Sequence, residues 1–229
     1  MKKNLVGCTS RKSGNFGLGS SFSFYVAHHM STIEGGMLCS MDEELTEMLR
    51  IVRANGWDRN LSLDQQKKWR TKYKNDDFFS KYSFYDLVFN VRPTNITGFL
   101  GLEQLNYIDE IINLKTENFK LLNNEIKNNP DLHELKYDHM SKTSPFSIPI
   151  VCKSVQLRNK YVEIFTKNKV EIRPMIAGNM QNQPFYNKYV SSSYDLPNTD
   201  LVSDQGFYFG NFPELTKNDL EILANCLKK

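Results

Sequence analysis

The 229-residue sequence has no apolar run approaching the roughly 20 residues that a membrane-spanning helix needs. That excludes a helical membrane protein. Its opening residues, Met1-Lys2-Lys3-Asn4-Leu5-Val6, lack the apolar core of a secretory signal. Cysteine is sparse and scattered. Cys8, Cys39, Cys152 and Cys226 form no Cys-x-x-Cys pair, and none lies near a histidine at ligand spacing. This excludes a disulfide framework or a zinc finger and points to reduced thiols in the cytoplasm. The net charge is only +3, too little for a nucleic-acid stripe. The local cluster Lys67-Lys68, Arg70, Lys72 and Lys74 reads as a solvated helix face. Gly7, Gly14, Gly17 and Gly19 do not make a Gly-x-Gly-x-x-Gly dinucleotide fingerprint. There is no internal repeat and no low-complexity tract.

Adjacent histidines are what the chain does have. His28 and His29 sit in Ser-Phe-Ser-Phe-Tyr-Val-Ala-His-His-Met-Ser-Thr-Ile-Glu-Gly-Gly-Met, residues 21–37. Phe22, Phe24 and Val26 alternate as in a strand, so residues 20–26 and 36–40 read as two strands around a His-His loop. Histidine is the side chain best suited to move protons near neutral pH. Two neighbours on an extended segment point to opposite sides, so only one can face a ligand.

Further along, Asp42 to Arg53 reads as an amphipathic helix on Leu45, Met48, Leu49 and Val52, capped by Ser40 or Asp42. Residues 57–84 are polar, basic and aromatic and hold a short helix. Thr94 to Asn129 reads as a long helical region, broken near Lys115, with Phe99, Leu102, Leu105, Ile108, Ile111 and Ile112 as its stripe. Asn129-Pro130-Asp131 ends it. A smaller α/β unit follows: a strand at 146–152, a helix at 155–167, a short strand near 170–173, a long loop, and a helix from Lys217.

The His-His window resembles the lysine-bearing segment of the DegT/StrS-type sugar-nucleotide aminotransferases, a family that uses pyridoxal 5′-phosphate (PLP). Their pattern is Ser-Phe, three residues, Lys-Asn-Leu, a hydroxyl pair, then Gly-Glu-Gly-Gly. Ser23 falls on the phosphate-binding serine, with Ser21 on the same strand face as a fallback. His28 falls on the cofactor-carrying lysine, His29 on the asparagine, and Glu34-Gly35-Gly36 on the glycine turn. Four more segments resemble the family in order: Arg53 to Asn60, Phe89 to Leu105, Glu171 to Pro184, and Gly206 to Thr216. Histidine in place of the lysine resembles the 3-dehydratase branch, which removes the C3 hydroxyl from nucleotide-linked 4-keto-6-deoxy sugars.

The resemblance implies an α/β fold, that of the fold-type-I PLP transferases (aspartate aminotransferase). It covers the C-terminal part of the large domain over residues 1–93, connecting long helices over 94–139, and a small C-terminal domain over 140–229. It implies an N-terminal truncation: by spacing, the acid that pairs with the pyridine nitrogen falls near Met1, and the first acidic residue is Glu34. His28 is the implied acid/base. Ser23 and Asn90 are the implied cofactor-phosphate contacts, Asn90 reaching across a homodimer with a shared active site. Arg92 is the implied grip on the carboxylate of L-glutamate, the amine donor, and an arginine fork suits it. Arg59 and Glu171 are the implied nucleotide-sugar contacts. Asn55 stands where the dehydratase branch can carry a histidine for glutamate. A histidine forms no stable bond to PLP, so the cofactor is expected to be held non-covalently. The iron–sulfur dehydratases carry clustered cysteines after the histidine segment, and residues 59–75 contain none, so no such cluster is expected. The implied setting is deoxysugar supply for surface polysaccharide such as lipopolysaccharide O-antigen. Two alternatives stand beside it: a sugar-nucleotide aminotransferase, and a catalytically inert domain that only binds or dimerises.

Overall fold

A computed structural model describes residues 14–229. The chain divides into two compact units, the first ending at Asn106 and the second running Tyr107–Lys229. The helices expected to form one connecting segment over 94–139 fall on opposite sides of this division.

In the first unit, β1 (Gly19–Ser23) and β2 (Gly36–Ser40) form an antiparallel hairpin in register from Gly19↔Ser40 to Ser23↔Gly36. The first strand stops short of its expected end at Val26, because the chain turns after Phe24. Next comes α1 (Glu43–Val52). Asp42, not Ser40, caps it, its side chain accepting the Leu45 N–H at 2.8 Å, and Glu43 and Glu44 complement the helix dipole. A Ser62/Gln65 capping box starts α2 (Leu63–Lys72). The unit's core is small: Ile51, Leu61 and Trp69, with Tyr85 against them. Buried Glu47 accepts the Trp69 indole N–H at 3.1 Å and a hydrogen bond from Lys68. The basic cluster on α2 is therefore not wholly a solvated face: Lys68 pairs with Glu47, and Arg70 pairs with Asp58 and Asp77. Thr94 caps α3 (Asn95–Leu105), which buries none of its residues.

The second unit opens with α4 (Ile108–Asn128). The helical region breaks at Asn106–Tyr107, not near Lys115. Lys115 lies inside α4 and is 1% exposed. A three-stranded antiparallel sheet, in the order β3 (Ser147–Val151), β5 (Gly206–Gly210), β4 (Ile172–Pro174), packs against α4, α5 (Val155–Lys167) and α8 (Lys217–Leu227). Two short helices, α6 (Pro184–Tyr189) and α7 (Pro197–Gln205), interrupt the expected long loop. Phe165 packs on Phe207 and Phe209 at centroid distances of 5.4 and 5.3 Å. At the end of α4, Asn129 donates to the Tyr161 hydroxyl and to the Leu227 carbonyl, tying three helices together. Buried Asn211 donates to the carbonyls of Lys115 and Pro145, each at 2.9 Å. Among the described residues no helix is long and apolar enough to cross a membrane.

Candidate active site

The β1–β2 connection is a closed loop with the histidines inside it. Phe24 N–H donates to the Gly35 carbonyl and Thr32 N–H to the Phe24 carbonyl, each at 2.9 Å, which seals the base. A turn lies within: His28 N–H donates to the Tyr25 carbonyl at 3.0 Å. The His28 ring is half-buried and stands edge-on to Tyr25, with centroids 6.4 Å apart. His29 is half-buried as well. Ser23, the last residue of β1, is exposed, and its hydroxyl oxygen accepts the Tyr25 N–H at 3.4 Å. Thr32 is buried, and its hydroxyl donates to the Glu34 carbonyl at 2.9 Å. Gly35, at φ +156°, gives this turn its shape. The sequence reading missed Thr32, although it sits in the hydroxyl pair before the glycine turn. The base of the loop also meets α3: a Cβ on Gly101 would stand 3.3 Å from Thr32 Cγ2.

A second group forms where residues 53–59 meet residues 84–92. Val91 N–H donates to the Arg53 carbonyl at 2.9 Å, Asn55 N–H to Phe89 at 3.2 Å, and Tyr85 N–H to Gly56 at 2.6 Å. Asn55 takes a left-handed conformation, φ +58°, tolerated by asparagine. Asn90 Oδ1 accepts Arg92 Nε at 3.0 Å. The Arg59 guanidinium lies 4.0 Å from the Trp57 ring centre and also donates to the Lys81 carbonyl. Arg92 lies 5.1 Å from the same ring. The structure thus brings Arg59 and Arg92 to Trp57, which the sequence left without a role, with Asn90 bonded to Arg92 and Asn55 on the segment paired with Phe89. Beside them, Asp58 is fully buried, paired with Arg70 at 2.9 Å and accepting the Tyr85 hydroxyl at 3.2 Å. That pairing raises the Arg70 guanidinium further above its ordinary value.

Glu171 belongs to the second unit. It is exposed and pairs with Arg173 at 2.6 Å. Cys39 is exposed, Cys152 and Cys226 are buried, and all three are free thiols. Burial pushes Cys152 up to about 11 and raises Cys226 too, which makes both poor nucleophiles. Cys8 lies outside the described residues. Among the described residues, no group of three His, Cys, Asp or Glu side chains could hold a metal.

The fold that these elements share with solved structures is that of the PLP-dependent transferases. The chain belongs to the DegT/DnrJ/EryC1/StrS aminotransferase family, whose model matches residues 5–228. It is 30% identical over 219 residues to GDP-4-keto-6-deoxy-D-mannose 3-dehydratase of Escherichia coli O55:H7, covering 94% of this chain and 56% of that protein. It is 27% identical over 222 residues to the lipopolysaccharide biosynthesis protein RfbH of Salmonella typhimurium, covering 93% of this chain and 51% of that protein. A crystal structure of GDP-4-keto-6-deoxymannose-3-dehydratase with a trapped PLP-glutamate geminal diamine matches with a TM-score of 0.80 at 26% identity, over 96% of this chain and 57% of that one. The chain spans about half the length of the relatives it matches.

Proposed function

We propose that this chain is part of a PLP-dependent enzyme that removes the C3 hydroxyl from a nucleotide-linked 4-keto-6-deoxyhexose, with His28 as acid/base, in deoxysugar supply for surface polysaccharide in the cytoplasm. The observation that carries the reading is His28 within the closed hairpin loop, in a window that resembles the family's lysine-bearing segment. The similarity to 3-dehydratases over nearly the whole chain supports it.

The donor groups suit the cofactor. Ser23 is exposed and donates no hydrogen bond among the described residues, and the same holds for the Asn90 amide nitrogen. Both can serve a phosphate. The cofactor, when bound, would supply the amine that joins the sugar's C4 ketone and a reactive carbon that can give up a proton, which lets the C3 hydroxyl leave. With no lysine to carry it, it is held non-covalently. His28 takes the proton and returns it to the departing C3 hydroxyl, which leaves as water. Arg92 grips the carboxylate of L-glutamate, the amine donor, with a planar fork. Arg59 and Asn55 hold the nucleotide-sugar, and Glu171 meets a sugar hydroxyl. The protein works as a homodimer, Asn90 serving its partner's cofactor. The apolar face of α3 supports this: Ile96, Phe99, Leu102 and Leu105 are all more than half exposed.

The test is turnover of the keto sugar in the presence of PLP and glutamate. The 3-deoxy product should form and should fall by about 10²–10⁴ in His28→Asn. Formation of a 4-amino sugar by the parent protein would favour the aminotransferase reading that the family name supports. No conversion in the full-length context would favour an inert binding or dimerising domain.

A further inference from the structure

Trp57 has no part in the chemistry above, yet two cationic side chains converge on it. Arg59 sits 4.0 Å and Arg92 5.1 Å from its ring centre. Like charges gathered on one platform repel. Two other arginines are neutralised by carboxylates: Arg70 is paired with Asp58 and Arg173 with Glu171. Neither Arg59 nor Arg92 pairs with a carboxylate among the described residues. Each is instead held along one edge by neutral groups. Arg59 donates to the Lys81 carbonyl and lies 4.7 Å from the Tyr82 ring centre, and Arg92 is held by Asn90 Oδ1 at 3.0 Å. Their remaining N–H donors are uncommitted.

The platform itself is fixed. The indole stacks on Phe84 at 6.2 Å and 25°. Gly56 precedes it at φ +81°, so close to the backbone of Asp86 that a side chain there would collide. Cation–π contact holds a guanidinium over an indole without occupying its donors or neutralising its charge. An indole therefore orients two forks while leaving both free for a ligand.

We infer that Trp57 is a positioning residue that makes Arg59 and Arg92 a single dicationic cradle, and that the ligand it fits is a diphosphate. One carboxylate would fill one fork and leave the other charge uncompensated. A diphosphate offers oxygens to both. This deepens the nucleotide-sugar reading on which it rests: the diphosphate engages Arg92 as well as Arg59. It adds a consequence, because Arg92 is also the grip for glutamate. Amine donor and nucleotide-sugar then compete for one arginine and bind in turn.

Inorganic pyrophosphate is the probe, titrated calorimetrically into the whole chain without PLP, so that the result stands apart from catalysis. Pyrophosphate should bind more tightly than inorganic phosphate, and glutamate should compete with it in the parent but not in Arg92→Ala. Trp57→Leu should weaken pyrophosphate by roughly two- to thirtyfold, while Trp57→Phe, which keeps an aromatic face, should stay close to the parent. Arg59→Ala should cost less in the Trp57→Leu background than in the parent. Equal affinity for pyrophosphate and phosphate would overturn the cradle, and so would a folded Trp57→Leu with unchanged affinity. If Trp57→Leu does not fold, the double variant of the two arginines decides. Losses that simply add, as for independent sites, sink the proposal, and losses that do not add sustain it. Pyrophosphate binding of this kind in a protein that dehydrates no sugar would refute the proposed function and leave the cradle standing.

Discussion

Thr32 Oγ1 occupies the space that a side chain on Gly35 would need: a Cβ built there runs into the hydroxyl. The threonine is buried and bonded to the Glu34 carbonyl, so it cannot swing away without losing that bond. Gly35→Ala should cost about 1–3 kcal/mol, from the collision together with a φ of +156° that an L-residue rarely adopts. The damage should be local, at the base of the His28 loop. Amide exchange should speed up at Phe24 and Thr32, the two donors that seal it, with the second unit unchanged. Unaltered exchange there would mean that the loop does not depend on this glycine.

Arg70 is a quarter exposed, whereas its partner Asp58 is wholly buried. Removing the guanidinium leaves a buried carboxylate with only the Tyr85 hydroxyl for company. Arg70→Met should therefore destabilise the first unit by about 2–4 kcal/mol, below the full cost of breaking a deeply buried pair because water reaches the arginine side. Arg70→Met combined with Asp58→Leu should recover part of the loss. Chemical denaturation reads both, and no recovery in the double variant would assign the cost to lost arginine packing.

Lys115 tests the second unit. It is 1% exposed, and burial lowers its pKa against a partly offsetting attraction from Glu214. Between the lowered folded value and the ordinary lysine value, the unfolded chain binds the extra proton. Stability from this group thus rises with pH across that window, by about 1.4 kcal/mol for each unit by which the pKa is lowered. Burial raises Cys152, Cys226 and Tyr161, and they act oppositely: their contribution is lost as pH rises through the alkaline range. The difference between parent and Lys115→Met isolates the lysine. Lys115→Met should be the more stable protein at pH 7, with its advantage shrinking toward pH 10. A constant difference would show that Lys115 keeps its charge in the fold.

These residues also mark how far the sequence could be read. Lys115 looked like a polar break in an apolar stripe, but the helix runs through it and buries it. The real break at Asn106–Tyr107 carries no glycine or proline to announce it. The strand Gly206–Gly210 carries a family motif in its sequence but no strand signal. It is the central strand of its sheet, buried on both faces, so Gly-Phe-Tyr-Phe-Gly shows no alternation. Helices with a polar cap and one apolar face were legible nearly to the residue, α5 and α8 among them. Within the site, the hairpin histidines were legible because one short window holds them. The Trp57 platform was not, because it joins residues 57, 59 and 92, which no local spacing relates.

The substitution that probes the reading most directly is His28→Lys. On the proposed reading, in the full-length context, it restores the nucleophile that the family carries on this loop. The loop's closed base and the turn at Tyr25 fix where residue 28 points, so a lysine there has a defined reach. PLP should then become covalently linked, trappable by borohydride as an adduct on residue 28, and dehydration should fall, because the proton carrier is gone and the cofactor is held differently. His28→Asn should bind some PLP without forming an adduct and should lose about 10²–10⁴ in rate. The same two changes at His29 should do little, since the proposed proton carrier is His28. Mass spectrometry of the reduced protein locates the adduct. An adduct with lysine at 29 and none with lysine at 28 would move the catalytic assignment by one residue. No adduct in either would remove PLP from this site altogether.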